Sequence, residues 1–137
     1  MKKLKKYILI ILTLFLLLTI AAIITHKEIK SYSKFTKLKI DKNPYTFGTI
    51  NNNDSITHIF KIKNLTDTLL VIEKVLPSCP CTKVSYNKNK CIKNETVNII
   101  VKFKPTKTQK GEVKTFIYMQ CNAEKGVVKL EINGKIK

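Results

Sequence analysis

"SITHIFKIKN" (Ser55–Asn64) and "TVNIIVKFKP" (Thr96–Pro105) set the period of this chain at two. In the first, Ile56, His58, Phe60 and Ile62 alternate with Thr57, Lys61 and Lys63; in the second, Val97, Ile99, Val101 and Phe103 share one parity. Successive side chains of a strand point to opposite faces. The pattern therefore predicts antiparallel strands with one face on a core and one in water. "VVKLEINGKI" (Val127–Ile136) repeats it with Val128, Leu130 and Ile132. "LLVIEKV" (Leu69–Val75) and "VKTFIYMQC" (Val113–Cys121) are apolar on both parities and read as central strands with no assigned inner face. Turn residues separate the runs at Asn51–Asp54, Asn64–Asp67, Asn87–Lys90, Thr108–Gly111 and Asn122–Gly126. Short strands at this spacing, with no second helical segment, predict an all-β antiparallel sandwich of about seven strands.

Ahead of the strands, "MKKLKK" (1–6) precedes "YILIILTLFLLLTIAAIIT" (Tyr7–Thr25), which carries no charge. Nineteen residues make about 28 Å of helix at ~1.5 Å per residue, close to the hydrocarbon thickness of a bilayer. A helix apolar on every face predicts a transmembrane segment or a signal peptide. The best small-x-small site, Thr19-Ile20-Ala21, is a poor cleavage signal, which favours an uncleaved signal anchor. Lys2, Lys3, Lys5 and Lys6 mark a cytoplasmic N-terminal tail, although Lys27, Lys30, Lys34 and Lys37 weaken the charge bias. The expected layout is a basic tail (1–6), a single-pass helix (7–25), a polar tether (26–36) and a sandwich (37–137). The sandwich is expected outside the cytoplasm, in the periplasm, where disulfides are permitted.

The sequence "YTFGTINNNDSITHIFKIKNLTDTLLVIEKVLPSCPCT" (Tyr45–Thr82) resembles the bacterial family called domain of unknown function 1573. The resemblance rests on Phe47-Gly48-Thr49-Ile50, on the strand Phe60–Asn64 ending in Asn, on the apolar Leu69–Ile72, and on Ser78-Cys79-Pro80-Cys81-Thr82. It continues through "NETVNIIVKF" (Asn94–Phe103), Gly111, Asn122 and Gly134, and covers roughly residues 37–137. The chain departs from the family pattern at Pro80, where glycine is usual, and at Lys93-Asn94-Glu95, where Pro-Gly-Glu is usual. Cys91 and Cys121 lie outside the pattern. The resemblance implies an immunoglobulin-like sandwich exported to the envelope. It implies structural roles for Phe47, Gly48, Asn64, Ser78, Thr82 and Gly134, and no activity.

The formal net charge of +17 first suggests a nucleic-acid or membrane-surface binder. All 26 basic residues are lysine, however, and arginine is the side chain that forks onto guanine and phosphate. Lysine, asparagine and isoleucine together are what an AT-rich genome writes by default. The charge is therefore expected to be compositional, spread over a solvated surface, with no nucleic-acid partner. The Asn-x-Ser/Thr sites at Asn53, Asn64 and Asn94 are read as coincidence.

No convergent catalytic set is visible. His26 lies at the membrane exit, His58 is expected to be a satisfied inward or edge histidine, and the nine carboxylates form no paired motif. No enzyme activity is expected. The cysteines are the chemically loaded group. If the strands alternate in direction, the 75–82 loop lies at one end of the sandwich, and Cys91 and Cys121 lie at the other. A bridge needs Cα atoms within ~7 Å. This makes Cys91–Cys121 a candidate disulfide and leaves Cys79 and Cys81 to each other. Three readings of that pair stay open: a disulfide fixing the loop, two thiols for a soft ion such as Cu(I), or plain packing. No cofactor is otherwise expected. The reading is a membrane-anchored, extracytoplasmic module that binds or organises an envelope protein. The alternative is a thiol protein, either a Cu(I) carrier or a redox partner, acting through Cys79 and Cys81.

Overall fold

The structure, a computed structural model, describes residues 2–32 and 35–137 and divides into two units, residues 1–34 and 35–137. The first is one helix, α1 (Lys2–Tyr32). Its stretch Lys3–Ile23 has a mean hydropathy of 2.5 and none of it is buried, so by length and composition the helix is able to cross a membrane. The helix runs on to Tyr32, so residues 26–32, expected to be a polar tether, are helical. Backbone hydrogen bonding has no reason to stop where the apolar run stops.

The second unit is a two-layer β-sandwich of nine strands: β1 (Leu38–Ile40), β2 (Tyr45–Ile50), β3 (Ile56–Asn64), β4 (Leu70–Pro77), β5 (Thr82–Tyr86), β6 (Lys90–Cys91), β7 (Thr96–Phe103), β8 (Gly111–Cys121) and β9 (Val127–Ile136). Four strands form one sheet in the order β1-β3-β7-β5, and five form the other in the order β2-β9-β8-β4-β6. The excess over seven comes from β1 and β6, edge strands of three and two residues, too short to leave a periodic signal. Every pairing is antiparallel except β2 with β9, where Tyr45 lies opposite Ile132 and Ile50 opposite Ile136.

The predicted parities position the core. Phe60 and Ile62 of β3 and Val97, Ile99, Val101 and Phe103 of β7 are fully buried. They face Leu70 and Ile72 of β4, Ile117 and Met119 of β8, and Leu130, Ile132 and Ile136 of β9. Each such side chain contributes about 1.5–3 kcal/mol by leaving water. Every core residue belongs to the second unit, so the sandwich closes without α1. Its first residues lie slightly earlier than expected: Thr36, assigned to the tether, is 2% exposed and bridges to Ala123.

The two strands of unassigned parity resolve differently. In β8, Val113, Thr115, Ile117, Met119 and Cys121 point inward, while Phe116 and Tyr118 lie outside, where the Lys129 ammonium sits 4.5 Å from the Phe116 ring centre. In β4 the register slips between Ile72 and Lys74. One extra residue there switches the inward set from Leu70 and Ile72 to Val75 and Pro77.

Candidate functional site

The cysteine loop is held from both sides. Beyond the end of β4, Ser78 donates its amide to the Phe116 carbonyl at 2.8 Å, and its hydroxyl oxygen accepts from the Phe116 amide at 3.0 Å. At the other end, Thr82 is 3% exposed and donates its amide to the Cys79 carbonyl at 3.1 Å, closing a four-residue turn around Pro80. The Lys104 amide donates to the Cys81 carbonyl at 3.0 Å, tying the loop to the end of β7. Within this frame Cys79 and Cys81 are joined as a disulfide, with Cα atoms 5.2 Å apart. The Cys81 amide donates to Cys79 Sγ at 3.1 Å.

The loop borders a shallow cleft of about 370 Å³ lined by Pro80, Cys81, Lys83, Lys102, Lys104 and Pro105. Two of its lysines, Lys83 and Lys102, are direct cross-strand partners. In the disulfide state neither sulfur is a thiolate, the species that binds a soft metal or attacks an electrophile. Both chemistries would begin with reduction. Among the described residues no group of three or more His, Cys, Asp or Glu side chains gathers in a metal-holding arrangement.

Cys91 and Cys121 are both buried and both free, which corrects the expected 91–121 bridge. They do share the end of the sandwich opposite the 79–81 loop, but β4 runs between them. Cys91 pairs with Leu70 on one side of β4 and Cys121 with Ile72 on the other. Two strand spacings and a two-residue offset put their Cα atoms roughly 11–12 Å apart, beyond the ~7 Å limit. Burial raises both thiol pKa values above the ordinary range; Lys88 and the Asn64 contact oppose this at Cys91, and the Ala123 backbone opposes it at Cys121. Both thiols are therefore protonated and act as core packing.

His58 is stacked face to face on Tyr45 at 3.6 Å and meets the edge of Phe60 at 4.6 Å. Its Nε2 is buried and has no hydrogen-bond partner among the described residues, so the ring is inward as expected but not satisfied by them. Burial is the main cause that lowers its pKa, helped by Lys42 and opposed by Asp41. A neutral ring held between aromatic groups is packing material.

The family model described as "Protein of unknown function (DUF1573)" matches residues 38–136. The chain belongs to this family. None of the curated proteins matches it. Among solved structures, it is similar to a protein of unknown function from Porphyromonas gingivalis W83, with a TM-score of 0.63 at 9% identity over 73% of this chain and 46% of that one. It therefore spans about half of that protein's length. It is also similar to the ASH/PapD-like domain 7 of human CEP192, with a TM-score of 0.57 at 14% identity over 75% of this chain and 87% of that one. At these identities the likeness is one of fold.

The DUF1573 positions fall at structural joints. Asn64, fully buried, donates Nδ2 to the carbonyls of Thr68 (2.8 Å) and Cys91 (3.0 Å), and its Oδ1 accepts from the amide and hydroxyl of Thr66. It clamps the β3–β4 turn to β6, and its engaged side chain is not available for glycosylation. Asn122 does the same at the end of β8, with Oδ1 accepting from the Val71 amide and Nδ2 donating to the Leu69 carbonyl. Phe47 stacks on Phe103 at 5.7 Å, and a Cβ at Gly134 would collide with the Phe47 ring and the Gly48 carbonyl. Gly48 itself has φ +75°, a left-handed conformation that glycine adopts without strain. Sequence reasoning did not single out Lys83, Lys102 and Lys104. The signal was there, since all three sit on the outward parity of strands it had identified or beside the cysteine loop.

Proposed function

We propose that this DUF1573 chain is a membrane-anchored, non-catalytic β-sandwich on the extracytoplasmic side of a bacterial membrane, where it binds or organises another envelope component. The observation that carries the reading is the pairing of two self-sufficient units. One is a helix whose stretch Lys3–Ile23, uncharged from Tyr7 on, is nowhere buried, as suits a segment covered by lipid; the other is a sandwich whose core residues all lie outside that helix. Lys2, Lys3, Lys5 and Lys6 favour retention of the N-terminus in the cytoplasm. His58 is packed between aromatic rings, and Glu95 and Glu131 are engaged by Lys88 and Lys114, an arrangement that suits scaffolding better than proton transfer. Membrane fractionation tests the reading. The full chain should stay in the pellet through alkaline extraction, and added protease should degrade the sandwich in spheroplasts. Full-length protein in the soluble fraction, or a sandwich protected until the membrane is lysed, would refute it.

A second reading is favoured by one observation, the disulfide at the rim of a cleft lined by three lysines. As a thiol protein, the chain would accept two electrons and two protons from a dithiol partner. It would end with free thiols at Cys79 and Cys81 and leave the partner as a disulfide. The reduced pair is also the form able to take Cu(I). Mass spectrometry after incubation with a dithiol, and after reduction followed by Cu(I), tests both.

A further inference from the structure

The two outer faces of the sandwich carry opposite kinds of charge arrangement. On the five-stranded sheet, lysines meet acids: Lys114 pairs with Glu131 at 3.2 Å, and Lys135 lies opposite Glu112. On the four-stranded sheet, the outward positions of β1, β3, β7 and β5 hold Lys39, Lys61, Lys63, Lys83 and Lys102, with Lys104 just beyond, and no Asp or Glu. None of these six forms an ion pair among the described residues. Two pairs of them stand directly opposite each other, Lys39 with Lys63 and Lys83 with Lys102, a placement that opposes folding. At the centre of the lysines lie the cross-strand partners Ile59 and Ile100, Ile59 being 45% exposed. A lysine-rich composition accounts for the number of lysines. It does not account for acids answering them on one face and not on the other.

We propose that the outer face of the four-stranded sheet docks on a bilayer rich in anionic phospholipid. The face is broad and open, and its lysines are spread over all four strands, which suits a sheet of phosphates better than a single phosphate or a peptide groove. Lysine attracts such a surface as a point charge and needs no bidentate geometry. Ile59 and Ile100 supply an apolar centre that can sit at the headgroup level. Reach is sufficient. From Ile23, the last residue of the apolar stretch, to Phe35, the first of the sandwich unit, the chain spans at most about 24 Å, with helix to Tyr32 at ~1.5 Å per residue and the rest at ~3.5 Å per residue. The edge strand of this face, β1, is also the first strand after that segment.

The inference deepens the anchored reading and rests on it, but it is tested without the anchor. Residues 35–137, which hold the complete core, are mixed with vesicles of phosphatidylcholine alone or mixed in equal parts with phosphatidylglycerol, and sedimented. The domain should pellet with the anionic vesicles only, and high salt should release it. Lys39→Gln, Lys61→Gln, Lys83→Gln and Lys102→Gln combined should lower partitioning about five-fold per lysine, more than a hundred-fold in all. Lys74→Gln, Lys114→Gln, Lys129→Gln and Lys135→Gln combined remove the same charge from the other sheet and should cost far less. All eight lysines are exposed, so both variants should fold, which circular dichroism checks before the binding assay. Equal losses in the two variants, equal binding to neutral vesicles, or no binding to anionic vesicles at low salt would each overturn the proposal. Binding to poly-glutamate without binding to vesicles would overturn the lipid assignment in favour of an acidic polymer. A failure of membrane fractionation leaves these outcomes unaffected, so the two readings fail separately.

Discussion

Asn64→Ala should be among the most damaging single changes to the sandwich that delete no apolar side chain. The native side chain is fully buried and makes four hydrogen bonds, two donated and two accepted. Its backbone bonds to Glu95 and Asn94 would survive the change. Four bonds at about 1 kcal/mol net each set the scale. The Cys91 carbonyl, the more buried of the two acceptors, is left unpaired at a further cost, while Thr66 regains water. A loss of about 3–4 kcal/mol is expected. In urea, with a slope near 1.5 kcal/mol per molar, the midpoint of residues 35–137 should fall by about 2 M. Asn64→Asp sharpens the test. Its carboxylate still accepts from Thr66 but confronts the Thr68 and Cys91 carbonyls, so the protonated form is favoured and its folded pKa rises above the unfolded value of ~3.9. The stability of this variant, relative to wild type, should then be highest at low pH and fall as pH rises through the raised pKa. A midpoint shift below about 0.5 M for Asn64→Ala, or an Asn64→Asp penalty independent of pH, would show that the clamp is ornamental.

Phe60→Ala and Val101→Ala should destabilise the domain in urea melts, by about 3–5 kcal/mol for the larger cut and less for the smaller, whereas Lys61→Ala and Lys102→Ala should be near neutral. Equal costs would mean the strand parity is wrong. Replacing Leu16 and Leu17 with lysine should abolish membrane retention of the full chain, because each charge at a helix centre costs about 2.5–3.5 kcal/mol on insertion. His58 has a lowered folded pKa, so the unfolded state takes up a proton first. As far as His58 is concerned, stability should be level between about pH 6.5 and 8, below the range where unfolded thiols ionise, and decline below pH 6.5, ahead of any carboxylate effect, and His58→Phe should remove that slope in thermal melts. Native alkylation should leave all four cysteines untouched, reductant should open Cys79 and Cys81 alone, and Cys91 and Cys121 should react only in denaturant; early labelling of Cys91 would contradict its burial.

Much of the sandwich is legible because alternation is a local property. β3, β7 and β9 carry their inward residues on the parity the sequence shows. β4 was opaque for a physical reason: a register slip after Ile72 puts apolar residues on both parities. In β8 the outward Phe116 and Tyr118 mimic core residues because part of their apolar surface is covered locally, Phe116 by Lys129. The cysteine pairing at 91 and 121 failed on sheet order. Sequence reasoning placed both thiols at the correct end, but which strand lies between two others is decided by long-range pairing. The lysine face was missed for a related reason. Lys39, Lys61, Lys83 and Lys102 are scattered along the chain and become neighbours only through strand register.

The parallel pairing of β2 with β9 constrains the order of events in biogenesis. Tyr45 and Ile132 are partners across most of the domain's sequence, and β9 also supplies the whole outer neighbour of β8. Until β9 has been synthesised, the five-stranded sheet has no seam to close, and β2 has nothing to pair with. On the anchored reading proposed above, a nascent chain whose helix had been captured by a membrane translocase would still carry an unclosed sandwich. An unclosed chain is what a narrow export channel can pass, so on that reading the β2–β9 pairing would hold back closure of the five-stranded sheet until β9 has emerged.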